Sequence, residues 1–320
     1  MPHEPESTQG GEVTEPESLL VGVELGGTKC VCILGSGPGD IRAQERLPTA
    51  DPETTLARIE SVLDGWREQY PRIAALGVAC FGPLELRRDS PAYGHIGSTT
   101  KPGWSHTDVA GRLGRRLSVP FCVNTDVNGA ALAEGRWGAA QGLANFAYIT
   151  VGTGVGVGLI VNDEPVMGFS HTEMGHIRIA RMTGDQWPGA CVFHGDCVEG
   201  LASGPAIEAR AGMSADRLAA DHPAWGTVAH ALGQLLHALV LTTAPERIII
   251  GGGVMDAQSH LFARVRHNLQ RSLNGYVEVD ALAGSLEEYV VPPALGTLAG
   301  PLGALALAGN ALRNRAGARS

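Results

Sequence analysis

Lysine is almost missing from this chain of 320 residues: it occurs only at Lys29 and Lys101, and the other basic side chains are arginines. Acidic residues outnumber basic ones, giving a formal net charge of -9. That sign disfavours nucleic acid and anionic membrane as partners, since both recruit basic surfaces. No run of eighteen apolar residues occurs, so no segment reads as a membrane span. The opening MPHEPESTQGGEVTEPES is polar and acidic and lacks the basic and apolar regions of an export signal. It reads as a disordered tail over 1–18, and a cytoplasmic location is expected. Cys30, Cys32, Cys80 and Cys122 lie in apolar, strand-like runs and read as reduced core residues. The usual nucleotide fingerprints are missing too. With no Gly-Lys dipeptide there is no GxxxxGK[ST] loop, and 152–158 reads GTGVGVG, which is not GxGxxG.

Glycine, by contrast, is abundant at 44 residues, and 44% hydrophobic content can fill a sizeable core. The length suits one large domain or two ordinary ones. Apolar runs predict strands at 19–25, 30–34, 41–47 and 73–79, with a helix over 54–68 whose Leu56, Ile59, Val62, Leu63 and Trp66 share a face. Residues 93–104, rich in Gly, Thr and Pro, read as loop, and Lys101 within it belongs either near a substrate entrance or to the surface. A helix over 107–117, a strand over 119–123 and an Ala-rich helix over 126–141 follow. The opening pattern then recurs as a strand at 145–151, a Gly-rich turn and a strand at 157–161. Helices are expected at 204–211, 224–243, 257–273 and about 298–314, with a short strand at 247–250. Repetition of strand, glycine turn and strand predicts a duplicated, two-lobed architecture. The first lobe spans 19–122, completed by a C-terminal helix over 298–315, and the second spans 123–297.

The densest chemistry lies between His171 and Gly200, HTEMGHIRIARMTGDQWPGACVFHGDCVEG. Zinc prefers four tetrahedral ligands drawn from thiolate and imidazole, and a closed set is structural rather than catalytic. Two-residue gaps between Cys191, His194 and Cys197 let one short loop wrap three ligands around an ion, and His176 closes the fourth vertex. The competing reading makes the cysteines buried apolar groups and the histidines surface. On the same loop Glu173 and Glu199 are acceptor-only when ionised, suited to sugar hydroxyls, though a loop Glu is by default a solvated charge. His176 has two distinct ring nitrogens, so one can ligate metal while the other meets substrate. His171 has no assigned role at this stage.

The glycine turns at 26–29 and 152–154 let backbone N–H groups approach phosphate oxygens without side-chain clash. Spacing alone leaves phosphate binding and plain hairpin turns equally open. Asp126 likewise reads either as a helix N-cap or as an acid–base group.

GVELGGTK, NTDVNGAALAEG, ITVGTGVGVGLI, HTEMGH, CVFHGDCVEGLASGPAIEAR and IIIGGGV, in that order, resemble the ROK (repressor, open reading frame, kinase) sugar kinases, and within them the bacterial zinc-containing, ATP-dependent fructokinases. The resemblance covers about residues 19–315. It implies an α/β, actin-like and hexokinase-like (ribonuclease H-like) duplicated fold with a central cleft. ATP–Mg²⁺ would lie across the cleft floor, with Gly26, Gly27, Thr28 and Lys29 at one phosphate turn and Gly152, Thr153 and Gly154 at the other. Gly251, Gly252, Gly253 and Val254 would lie beside the adenosine, and Asp126 would be the general base. Thr125, Glu173, His176 and Glu199 would meet the sugar. Such kinases often pair as homodimers. Two departures stand out. Glu24 occupies a position held by Asp in many relatives, and it is expected to organise metal-bound water. Thr125 replaces an Asn of glucokinase-like relatives, which argues against glucose and leaves fructose ahead of glucose, mannose or an N-acylhexosamine. A sugar-sensing protein or repressor is the non-enzymatic alternative. Repressors of this family carry a helix-turn-helix ahead of the kinase-like part, which eighteen polar residues do not supply.

Overall fold

A computed structural model describes residues 18–70, 72–278 and 284–317; the expected tail falls, apart from Ser18, outside them. The chain begins with three antiparallel strands, β1 (Leu19–Leu25), β2 (Lys29–Gly37) and β3 (Asp40–Pro48). Next come α1 (Pro52–Gln69), β4 (Ile73–Cys80), α2 (Ala110–Leu117) and β5 (Phe121–Thr125). The sheet order is β3-β2-β1-β4-β5, with β4 and β5 parallel to β1. Asp51 caps α1 by accepting the Thr54 N–H at 3.0 Å, and Leu56, Ile59, Leu63 and Trp66 seal that helix onto the sheet. The loop before α2 is anchored by Trp104, fully buried, whose indole N–H donates to Ala50 O at 3.0 Å.

The second half repeats this plan. After α3 (Asp126–Trp137) come β6 (Phe146–Val151), β7 (Val155–Val161) and β8 (Glu164–Pro165) as an antiparallel trio. Helices α4 (Val198–Ala202), α5 (Gly204–Ala211) and α6 (Ala224–Thr243) lead to β9 (Arg247–Gly251), then α7 (Gly253–Ala257), α8 (Leu261–Leu273) and β10 (Val290–Val291). The order β8-β7-β6-β9-β10 matches the first sheet strand for strand. The doubled α/β plan expected from the repeated glycine turns is therefore present, with β5 running through Thr125 in the first sheet. Helix α6 is long and apolar enough by composition to cross a bilayer. Its Trp225, Val228, Leu232, Leu235, Leu236 and Leu239 are instead core of the second half.

Two helices are shorter than their apolar pattern suggests, one at its end and one at its start. α3 stops at Trp137 because Glu134, fully buried, accepts the N–H groups of Ala139, Ala294 and Leu295 at 2.6, 3.2 and 3.0 Å. The expected helix over 257–273 is broken at Gln258, whose buried amide donates to Ala215 O and Leu218 O at 2.7 and 3.2 Å. The C-terminal helix Ala299–Gly317 packs between α3 and the first sheet, burying Leu302, Leu305 and Leu307. Its seat is glycine-lined: a Cβ on Gly77 would lie 1.9 Å from Ala304 O. Gly77→Ala should therefore lower stability by about 3 kcal/mol, the upper end of ordinary overpacking. Urea unfolding monitored by tryptophan fluorescence checks this.

Candidate functional site

Between the two sheets lies a cleft of about 410 Å³. Glu24, Gly26, Gly27, Thr28 and Lys29 line one wall, Gly152, Thr153 and Gly154 the other, with Thr125, Asp126, Glu173 and Glu199 also on it. A second cavity of about 270 Å³ shares Glu24, Lys29 and Asp126 and adds Tyr148, Gly252, Gly253 and Asp256. Gly251 and Val254, also expected beside the nucleotide, are buried next to Gly252 and Gly253, at the end of β9 and in the first turn of α7.

The two glycine turns face each other with different supports. Gly26 N–H donates to Lys29 O at 3.0 Å, closing the first turn, and Thr49 holds it from behind through Gly26 O at 2.9 Å and Thr28 O at 3.0 Å. The second is held by Gly204 N–H on Gly152 O at 2.7 Å. A side chain at Gly27 or Gly152 would meet nothing within 4 Å, so both backbones are open to the cleft.

Thr125 is the N-cap of α3, accepting the Asn128 N–H at 3.2 Å through its hydroxyl. Asp126 is thereby the first helical residue and not the cap. One Asp126 oxygen accepts the Val127 N–H at 2.9 Å. Burial raises the Asp126 carboxyl above its ordinary range, and the Glu173 carboxylate adds to the shift. Burial and the neighbouring Asp126 charge push Glu24 up to about 7. Glu199 accepts the Val155 N–H at 3.1 Å and stands 4.0 Å from His176 Nε2.

The other ring nitrogen of His176 faces the cysteines. Its Nδ1 is 3.6 Å from Cys191 Sγ and 3.7 Å from Cys197 Sγ, while His194 Nδ1 is 3.7 Å from Cys191 Sγ. All four ligand atoms lie within 4.8 Å of one another. A tetrahedral zinc with ordinary Zn–S and Zn–N bonds sets such edges at about 3.6 Å, so the donor set fits one zinc ion. The loop bearing it is braced by Asp196 on Arg178 and Arg181, and by Asp185 on Arg210 at 2.8 and 3.1 Å. Hydrogen bonding from Arg210 holds Asp185 down at about 2.

Sequence reading assigned no task to His171. Phe81, Gly82 and His171 all line the cleft. Lys101 reaches the first glycine turn: its ammonium donates to Gly27 O and lies 5.6 Å from the centre of the Phe81 ring. The only available signal was position, with His171 two residues before Glu173.

Residues 20–311 match the model of the ROK family. A fructokinase from Pediococcus pentosaceus is 38% identical over 296 residues, covering 92% of this chain and 99% of that protein. A fructokinase from Zymomonas mobilis is 40% identical over 290 residues, covering 89% and 95%. Among solved structures, a ROK family glucokinase from Streptomyces griseus, in complex with glucose and AMPPNP, superposes with a TM-score of 0.72. It is 26% identical, over 91% of this chain and 99% of that one.

The raised Glu24 carboxyl gives the free protein a pH signature. Between its ordinary 4.5 and about 7 the unfolded chain ionises while the folded one resists, so stability falls as pH rises through that window. Glu24→Gln removes the titration. Its melting temperature should exceed that of the parent at pH 8, and the two should converge at pH 4; scanning calorimetry without nucleotide measures both.

Proposed function

The chain belongs to the ROK family, and on that premise we propose that it is a fructokinase, transferring the γ-phosphoryl group of ATP to D-fructose to give D-fructose 6-phosphate. The observation that carries the proposal is Asp126, a desolvated carboxylate common to both cavities at the junction of the glycine turns and the Glu173–Glu199 side. Phosphoryl transfer is chiefly a matter of alignment and charge stabilisation. Glu173 and Glu199 accept hydrogen bonds from sugar hydroxyls and present the 6-hydroxyl to Asp126. Asp126 takes the hydroxyl proton as the oxygen bonds to the γ-phosphorus and the bond to ADP breaks. Backbone N–H groups of Gly27, Thr28, Thr153 and Gly154, with Lys29, bear the phosphate charge, while those of Gly26 and Gly152 close the turns. Thr125 sets Asp126 by accepting the Asn128 N–H, and its own hydroxyl proton is left to donate to the sugar.

Four carboxylates and one lysine line the cleft, so a tetra-anionic nucleotide requires a compensating cation there. The all-oxygen donor set around Glu24 and Asp126 suits Mg²⁺, which when bound neutralises phosphate charge. His176, Cys191, His194 and Cys197 would hold structural zinc, which when bound fixes the loop carrying Glu173 and Glu199. The same proposal takes the working form as a cytoplasmic homodimer of two-lobed subunits, divided near 122/123 and with 298–315 closing the first lobe. A solution mass twice that of the chain is the check on pairing.

Asp126→Asn should retain fructose binding and lose turnover by about a hundredfold or more. Coupled ADP release and calorimetric sugar titration read the two effects separately, and near-parental turnover removes the assignment. Elemental analysis of gently purified protein should return about one zinc per chain. Cys197→Ser should lose it and unfold at lower temperature. A metal-free protein of unchanged stability contradicts the zinc reading.

A further inference from the structure

We infer that His171 is a positioning residue: its imidazole bridges the cleft from Leu84 to Glu173 and aims the Glu173 carboxylate at the sugar. The inference rests on the kinase reading above. His171 follows β8 in the second lobe, whereas Leu84 follows β4 in the first. The Leu84 N–H lies 3.0 Å from His171 Nε2. A backbone N–H can only donate, so Nε2 carries the lone pair and the ring proton sits on Nδ1. Nδ1 faces two acceptors, Thr172 O at 3.3 Å and Glu173 Oε1 at 3.4 Å.

The side chain of His171 is only 3% exposed, while that of Glu173 is 55% exposed. One end of the pair is thus fixed by protein, and the other opens to the cleft. A free glutamate of that exposure would sample several rotamers, each to be frozen when sugar binds. A donor behind its carboxylate selects one in advance. Gly82 makes the arrangement possible, since a Cβ there would lie 3.2 Å from His171 Cε1 and 3.6 Å from Glu173 Oε1. The same hydrogen bond from Leu84 ties the first lobe to the sugar-gripping loop of the second.

The two halves of the bridge can be cut separately. In His171→Gln the amide reaches the Nε2 position and still accepts from Leu84, but the donor to Glu173 is lost. In His171→Asn the amide stands at the Nδ1 position and keeps that donor, but leaves the Leu84 N–H unpaired. KM for fructose, kcat and melting temperature are measured for both. The Gln variant should raise KM about tenfold, the scale of one ordering hydrogen bond, with kcat and melting temperature near parental. The Asn variant should melt lower with a smaller change in KM. Equal melting losses in both with KM unmoved would make the ring merely structural and overturn the inference. Nitrogen-15 NMR of the parent supplies a test that needs no variant: the Nδ1–H tautomer is expected, and an Nε2–H tautomer overturns the bridge. A parent protein releasing no ADP with any hexose overturns the kinase reading and this inference with it. The variant outcomes are read only against an active parent.

Discussion

A single capping hydrogen bond decides where the chemistry can happen. The Asn128 N–H donates to the Thr125 hydroxyl, which makes Thr125 the N-cap of α3 and Asp126 its first helical residue. At the end of β5, the strand hands that carboxylate to the floor between the sheets. The helix it begins is pressed against the C-terminal helix, and Glu134 locks its far end. Displacing any of these supports would move a carboxyl group that, with Glu24, is common to both cavities.

Electrostatics then sets what the cleft can hold. Glu24, Asp126, Glu173 and Glu199 surround a space with one lysine on its lining. Burial already disfavours charge on Glu24 and Asp126, so ionising both carries a stability cost in the free cleft. Fixed donors offset part of it: the Val127 N–H on Asp126 and the Val155 N–H on Glu199. Both lysines of the chain meet the first glycine turn, Lys29 on the cleft wall and Lys101 through Gly27 O.

Much of this was legible in the sequence because the governing signals are local. Apolar runs bounded by glycine gave β1, β4 and β6 nearly to the residue, and the 224–243 helix coincides with α6. Cys191, His194 and Cys197 are close in sequence, and His176 reaches them by a short chain return, so their meeting follows from spacing. The missed features depend on long-range partners. Glu134 ends α3 by binding Ala294 and Leu295, far along the chain. Gln258 breaks a helix to reach Ala215. His171 gains meaning only through Leu84, 87 residues earlier.

The account stands or falls on the placement of one oxygen. A crystal structure with fructose and a non-hydrolysable ATP analogue measures it directly. The sugar 6-hydroxyl should lie within about 3 Å of an Asp126 carboxylate oxygen and in line with the γ-phosphorus. A sugar bound with that hydroxyl turned away from Asp126, toward Glu173 or solvent, would contradict it.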